Sequence, residues 1–186
     1  DTEKNVLASL DLPAGKALPA EEENYSFGLV SDVHYNYFHS DGTNDDAAAA
    51  FPRALAFFKA AGTNLLTATG DYSIYSEEES YASFAQAVAD AELLTLCCGG
   101  NHEVISGSSV NMYGTDGIWR RYMNAGVYDG TLQGVLNVSD NGHDFVYAIP
   151  GTTDSVFVFL DQTHWDDHTS ATQHLLDTEQ IAWLAD

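Results

Sequence analysis

The sequence predicts an α/β domain, with helices packed on a central, largely parallel sheet. Three observations carry that expectation. Three short apolar runs, Phe27-Gly28-Leu29-Val30, Leu65-Leu66-Thr67-Ala68 and Leu93-Leu94-Thr95-Leu96, each lead into a polar stretch, the pattern of buried parallel strands. Segments with helical apolar spacing lie between them. The strand–helix alternation fits helices layered on one sheet. The polar stretches that follow the runs are Asp32-Val33-His34, Gly70-Asp71 and Gly100-Asn101-His102-Glu103. They leave the sheet at strand C-termini, where open α/β sheets build their sites. Carboxylate, imidazole and amide groups gathered on one edge suit hard or borderline metal ions.

The elements follow in order. Residues 1–23 are polar and punctuated by Pro13, Gly15 and Pro19, and read as an N-terminal arm with one short strand near Val6-Leu7. The domain proper runs over 24–186. Tyr25 to Ser31 is the first strand. The stretch from Tyr35 to Asp46 is a loop containing His39. Asn44, Asp45 or Asp46 caps a helix to Ala60, and Pro52 places its true start near Phe51. Gly62 ends it. Asn64 to Thr69 is the second strand. Glu77-Glu78-Glu79 opens a helix to Ala91, with acidic residues at the positive end of the dipole, and Leu93 to Cys98 is the third strand.

Beyond Ser108, a helix is expected from Thr115 to Asn124, stopped by Gly126. Phe145–Ile149 and Val156–Leu160 read as strands, the second ending in Asp161. A loop carries His164, Trp165 and His168. Asp177 with Gln180 three residues on is a capping-box signal for the last helix. The pattern calls for a further strand after it, so the sequence reads as unfinished.

The 186 residues, 45% apolar, suffice for one ordinary core. Six Lys and Arg stand against 28 Asp and Glu, a net charge of −22. That balance argues against a nucleic-acid surface, which needs cations to meet phosphates. It also repels a phosphorylated substrate unless bound cations invert the local field. No apolar stretch approaches the roughly 18 residues of a membrane span. Cys97 and Cys98 are adjacent and point to opposite faces of a strand, so they read as buried apolar residues rather than a bridge. The acidic start without a leader suggests a processed, secreted protein, hence an extracellular or cell-surface setting.

Asp32 and His34, two apart in an extended segment, can turn to one side and meet one ion. Asp71 offers a carboxylate able to bridge two ions, and Asn101 a neutral amide oxygen. Paired cations clamp a phosphoryl group and make hydroxide available at neutral pH. His102 then stabilises charge or protonates a leaving group, oriented by Glu103.

The ordered trio Asp-x-His, Gly-Asp and Gly-Asn-His-Glu, each after an apolar strand, resembles the calcineurin-like metallophosphoesterases over roughly residues 25–186. The strand ending in Asp161 and the Gln180-x-x-Trp183-Leu184 helix resemble the family as well. The resemblance implies an incomplete four-layer sandwich and hydrolysis of a phosphate ester, in a small molecule or other phosphoester substrate. It implies two divalent metal ions (Mn, Fe, Zn or Mg), with Asp32 and His34 on one, Asp71 bridging and Asn101 on the second. His102 is then the catalytic group that assists the leaving group, with Glu103 beside it.

There are departures. Family members carry an isolated metal-binding His and a Gly-His-x-His in a part that lies beyond Asp186 here. Gly142-His143-Asp144 matches only superficially, and His164, His168 and His174 read as surface residues. Asp-x-His in place of Asp-x-Gly, and Ile74 where purple acid phosphatases have Tyr, argue against an iron–tyrosinate site. Alternative readings are a catalytically incompetent metal- or ligand-binding module of the same fold, and chance motifs in another α/β domain. An open strand edge would favour self-association.

Overall fold

The computed structural model describes residues 25–35, 47–107, 117–139, 143–149, 156–161, 163–166, 171–174 and 176–185, with the backbone alone at 105–107, 163–166 and 171–174. The arm at 1–23, the loop with His39 and the caps at 44–46 lie outside the described residues.

Three parallel strands form the expected sheet: β1 (Phe27–Val30), β2 (Leu65–Ala68) and β3 (Thr95–Cys97), in the order β1-β2-β3. Their register pairs Val30 with Ala68 and Ala68 with Cys97, so the strands end level. Helices α1 (Ala47–Ala60) and α2 (Glu78–Ala91) provide the crossovers. Successive residues of β2 point to opposite faces. Leu66 and Ala68 join Phe51, Leu55, Tyr81 and Phe84 under the helices. Leu65 and Leu96 join a second cluster on the other face.

The expected start of α1 near Phe51 is corrected: the helix already runs from Ala47 and contains Pro52. Ala47 to Ala50 are strong helix formers, which offset the one amide donor that Pro52 removes. Lys59, in the last turn of α1, ties it to the C-terminal end of α2 by donating to Ala91 O at 2.7 Å and Glu92 Oε2 at 3.0 Å.

The second cluster rests on an antiparallel sheet, β4 (Val135–Val138), β5 (Phe145–Tyr147) and β6 (Phe157–Phe159). Phe145 and Phe159 stack in it at 4.5 Å. The structure is therefore layered as helices, parallel sheet and antiparallel sheet. β4 was not expected, and the strands at 145 and 156 do not extend the parallel sheet.

The helix expected from Thr115 to Asn124 is α3 (Ile118–Tyr122), followed by α4 (Ala125–Tyr128). The break falls at Asn124, not Gly126, which lies inside α4. Asn124 has φ +52. Its amide accepts from Cys97 N–H at 2.9 Å and donates to Cys97 O at 2.8 Å, so the side chain pairs the β3 edge like a strand. The expected loop at His164 is instead a hairpin, β7 (Thr163–Asp166) with β8 (Ala171–His174). Its backbone lies against the 3-10 segment Asn101–Gly107. The last helix, α5 (Thr178–Ala185), begins with the predicted capping box: Gln180 N–H donates to Asp177 Oδ1, and Asp177 N–H to Gln180 Oε1.

Candidate metal centre

All three polar motifs leave the level C-terminal ends of β1, β2 and β3. The parallel ladder continues past the strands and carries the motifs with it. Asp32 N–H donates to Gly70 O at 3.1 Å, His34 N–H to Asp71 O at 3.0 Å and Tyr35 N–H to Tyr72 O at 2.9 Å. Asp32, His34 and Asp71 all adopt positive φ, +55, +45 and +59. Non-glycine residues rarely hold that conformation, and it is found where surrounding bonds over-determine the chain. The expectation of an extended Asp32–His34 segment is thus corrected.

Two glycines let the second and third motifs touch. A Cβ on Gly70, at φ +103, would lie 2.5 Å from Gly100 Cα, and one on Gly100 would strike Asp71 Oδ1. Any side chain at either position would push the motifs apart. Tyr72 locks the ends of β2 and β3 from beneath: its hydroxyl lies 2.7 Å from Ala68 O and 3.0 Å from Cys98 O, which share its proton.

The side chains that meet are His34, Asp71 and His102. One ligand atom from each lies within 4.8 Å of the others. The two imidazoles cross edge-on, centroids 5.0 Å apart. Asp71 Oδ1 accepts from His102 N–H at 3.0 Å. His34 Nδ1 is buried and, among the described residues, has no hydrogen-bond partner, which is costly for an imidazole nitrogen unless a ligand or cation meets it. Imidazoles with a carboxylate are a donor set for first-row divalent ions, so these residues fit a metal. Asn101 opens the 3-10 segment one residue before His102. Asp32 is less engaged: its side chain is 64% exposed and turns to Ser31 Oγ, with Oδ1 3.9 Å from His34 Nε2.

Glu103 is placed differently from expectation. His102 Nδ1 lies 2.7 Å from Ile74 O. A carbonyl can only accept, so Nδ1 carries the proton and Nε2 is left for the site. The Ile74 carbonyl, not Glu103, orients the ring. Glu103 is fully buried. Its Oε2 accepts from Asp71 N–H at 2.9 Å and Gly100 N–H at 2.7 Å. Its Oε1 accepts from Tyr72 N–H at 3.0 Å and the Tyr81 hydroxyl at 2.9 Å. Burial raises its carboxyl pKa, and those backbone donors oppose the rise. In the sequence Tyr72 reads as the start of the loop after the second strand, and Tyr81 as part of the apolar face of the helix that follows.

The remaining polar residues sit elsewhere. Cys97 and Cys98 are free, and burial pushes both thiols up, Cys98 to about 11, so they are protonated and unreactive at neutral pH. Burial lowers the pKa of His143, near Asp144 and Asp161. Among the described residues, His34, Asp71 and His102 are the one set with metal-ligand spacing. The side chains of His164 and His174 lie outside the described residues, as does His168.

A family model of calcineurin-like phosphoesterases matches residues 25–186. Among solved structures, a dimetal phosphatase from Danio rerio is similar at 17% identity and a TM-score of 0.38. That match covers 46% of this chain and 32% of the other, about a third of its length. No curated protein matches the sequence.

Proposed function

Because the chain belongs to the calcineurin-like phosphoesterase family, we propose that it hydrolyses a phosphate ester at the C-terminal edge of its parallel sheet, through a dinuclear metal site. The observation that carries this reading is the convergence of His34, Asp71 and His102 within 4.8 Å. Asp71 and His34 would hold metal, with Asp32 and Asn101 beside them. When bound, divalent cations supply Lewis acidity and an acidified water.

The chain's own groups do the rest. Asp71 keeps Oδ1 on His102 N–H, which fixes the direction of its other oxygen. His102, with its Nδ1–H on Ile74 O, leaves Nε2 free to take up a proton from solvent and deliver it to the leaving-group oxygen. Turnover of chromogenic phosphomonoesters and phosphodiesters with Mn²⁺ tests the reading. Asp71→Asn should cut turnover and Mn²⁺ affinity at least about a hundredfold, beyond the tenfold to hundredfold typical of outer-shell losses. Turnover that survives both the substitution and a chelator would refute it.

The outward Asp32 side chain supports a second reading, a module of the same fold that binds metal or ligand without turning over. Mn²⁺ binding by titration calorimetry, lost in Asp71→Asn, with no hydrolysis by the unaltered chain would favour it.

Self-association belongs to the same proposal. Among the described residues β1 borders the parallel sheet, and it exposes Phe27 and Leu29, 55% and 61% accessible, a combination that invites pairing. Sedimentation velocity should show a concentration-dependent dimer that Leu29→Lys abolishes, and a strict monomer at high concentration would dismiss it.

A further inference from the structure

The polar groups beneath the site form a closed circuit that the proposed reaction does not itself require. Asp71 gives its carboxylate to His102 N–H, while Glu103 gives its carboxylate to Asp71 N–H. The second and third motifs thus hold each other reciprocally. Glu103 also holds Gly100 and Tyr72 by their amides. A further partner comes from outside the motifs: Tyr81, near the start of α2 and fully buried, donates its hydroxyl to Oε1. Burial beside Glu103 raises the phenol pKa far beyond neutral pH, so the hydroxyl stays a donor. A buried carboxylate that gathers several donors holds them rigidly only while each is in place.

We propose that Tyr81 is a positioning residue: through Glu103 it fixes the Asp71 and Gly100 amides, and thereby the direction of the Asp71 carboxylate toward a divalent cation. Its effect on metal rests on the reading of the site as a metal centre, whereas its effect on the amides does not. Helix α2 is then more than a crossover. Through the Tyr81 hydroxyl it anchors the polar edge to the helical layer.

The test is Tyr81→Phe, which removes the hydroxyl and keeps the ring. The matched control is Tyr128→Phe, which deprives Trp119 Nε1 of its acceptor at 2.8 Å, away from the motifs. Hydrogen exchange followed by NMR on the metal-free chain should speed up about tenfold or more at the Asp71, Tyr72 and Gly100 amides in Tyr81→Phe. In Tyr128→Phe those amides should change no more than the core strands do. Co²⁺ titration should show about tenfold weaker binding and an altered visible spectrum in Tyr81→Phe alone, the low end of the range for outer-shell partners. Exchange at the three amides matching the control would overturn the proposal. So would unchanged Co²⁺ affinity and spectrum in Tyr81→Phe. If the unaltered chain takes up no Co²⁺, the metal-centre reading fails, and amide exchange alone then decides for or against the Tyr81 anchor.

Discussion

At the edge of the parallel sheet, Glu103 spends both oxygens on backbone amides and a phenol. Asp71 and His34 meanwhile turn donor atoms toward a shared space. At the end of the antiparallel sheet, Asp144 is just as buried, and its Oδ1 accepts from Asp161 N–H at 2.8 Å and Gln180 Nε2 at 2.9 Å. Gln180 also donates to Asp161 O. Both regions thus contain a buried carboxylate used as a clasp. Among the described residues, the one set with metal-ligand spacing, His34, Asp71 and His102, stands on the first clasp. In the second, the clasp fastens α5 to the end of β6. A buried acid alone says little about function; what matters is whether a second tier of side chains uses the rigidity.

The contrast breaks most sharply at Glu103. Glu103→Ala strands three backbone amides and the Tyr81 hydroxyl, and should cost about 3–5 kcal/mol, as when a buried charge network loses one member. Urea unfolding measures the loss, and metal affinity should fall with it. Gln180→Ala removes three hydrogen bonds, from Asp177 N–H and to Asp144 Oδ1 and Asp161 O, and should cost about 1–3 kcal/mol. It should leave metal affinity unchanged, because the Gln180 side chain bonds to Asp144, Asp161 and Asp177 rather than to the three motifs. Equal losses of metal affinity in the two variants would erase the distinction between the regions.

Much of the edge was legible in the sequence, because a strand that ends in Asp or Gly-Asp announces both its burial and its exit. Leu65-Leu66-Thr67-Ala68 has to be buried on both faces, and it is. The capping box at Asp177 was legible for the same local reason. What escaped was decided across the chain. Asn124 breaks a helix only because the β3 edge is there to be paired. Thr163–Asp166 and Ala171–His174 lack the apolar alternation of strands, so their hairpin was read as loop. Glu103 follows His102, and adjacency suggested partnership, yet the two side chains serve different tiers. Tyr81 did carry a signal: a phenol on an otherwise apolar helix face needs a polar partner. The sequence could not say which.

The protein's few cations have a consequence for encounter kinetics. Of six Lys and Arg, Lys59 is bound to Glu92 and Arg121 to Glu78, while Arg120 lies over the Tyr128 ring. A phosphorylated molecule therefore diffuses toward this surface uphill, against a field set by 28 carboxylates. Added salt flattens that hill by shortening the Debye length. Substrate capture, read as kcat/KM, should accelerate with ionic strength, the opposite of the salt response of proteins that draw phosphates in with lysine and arginine.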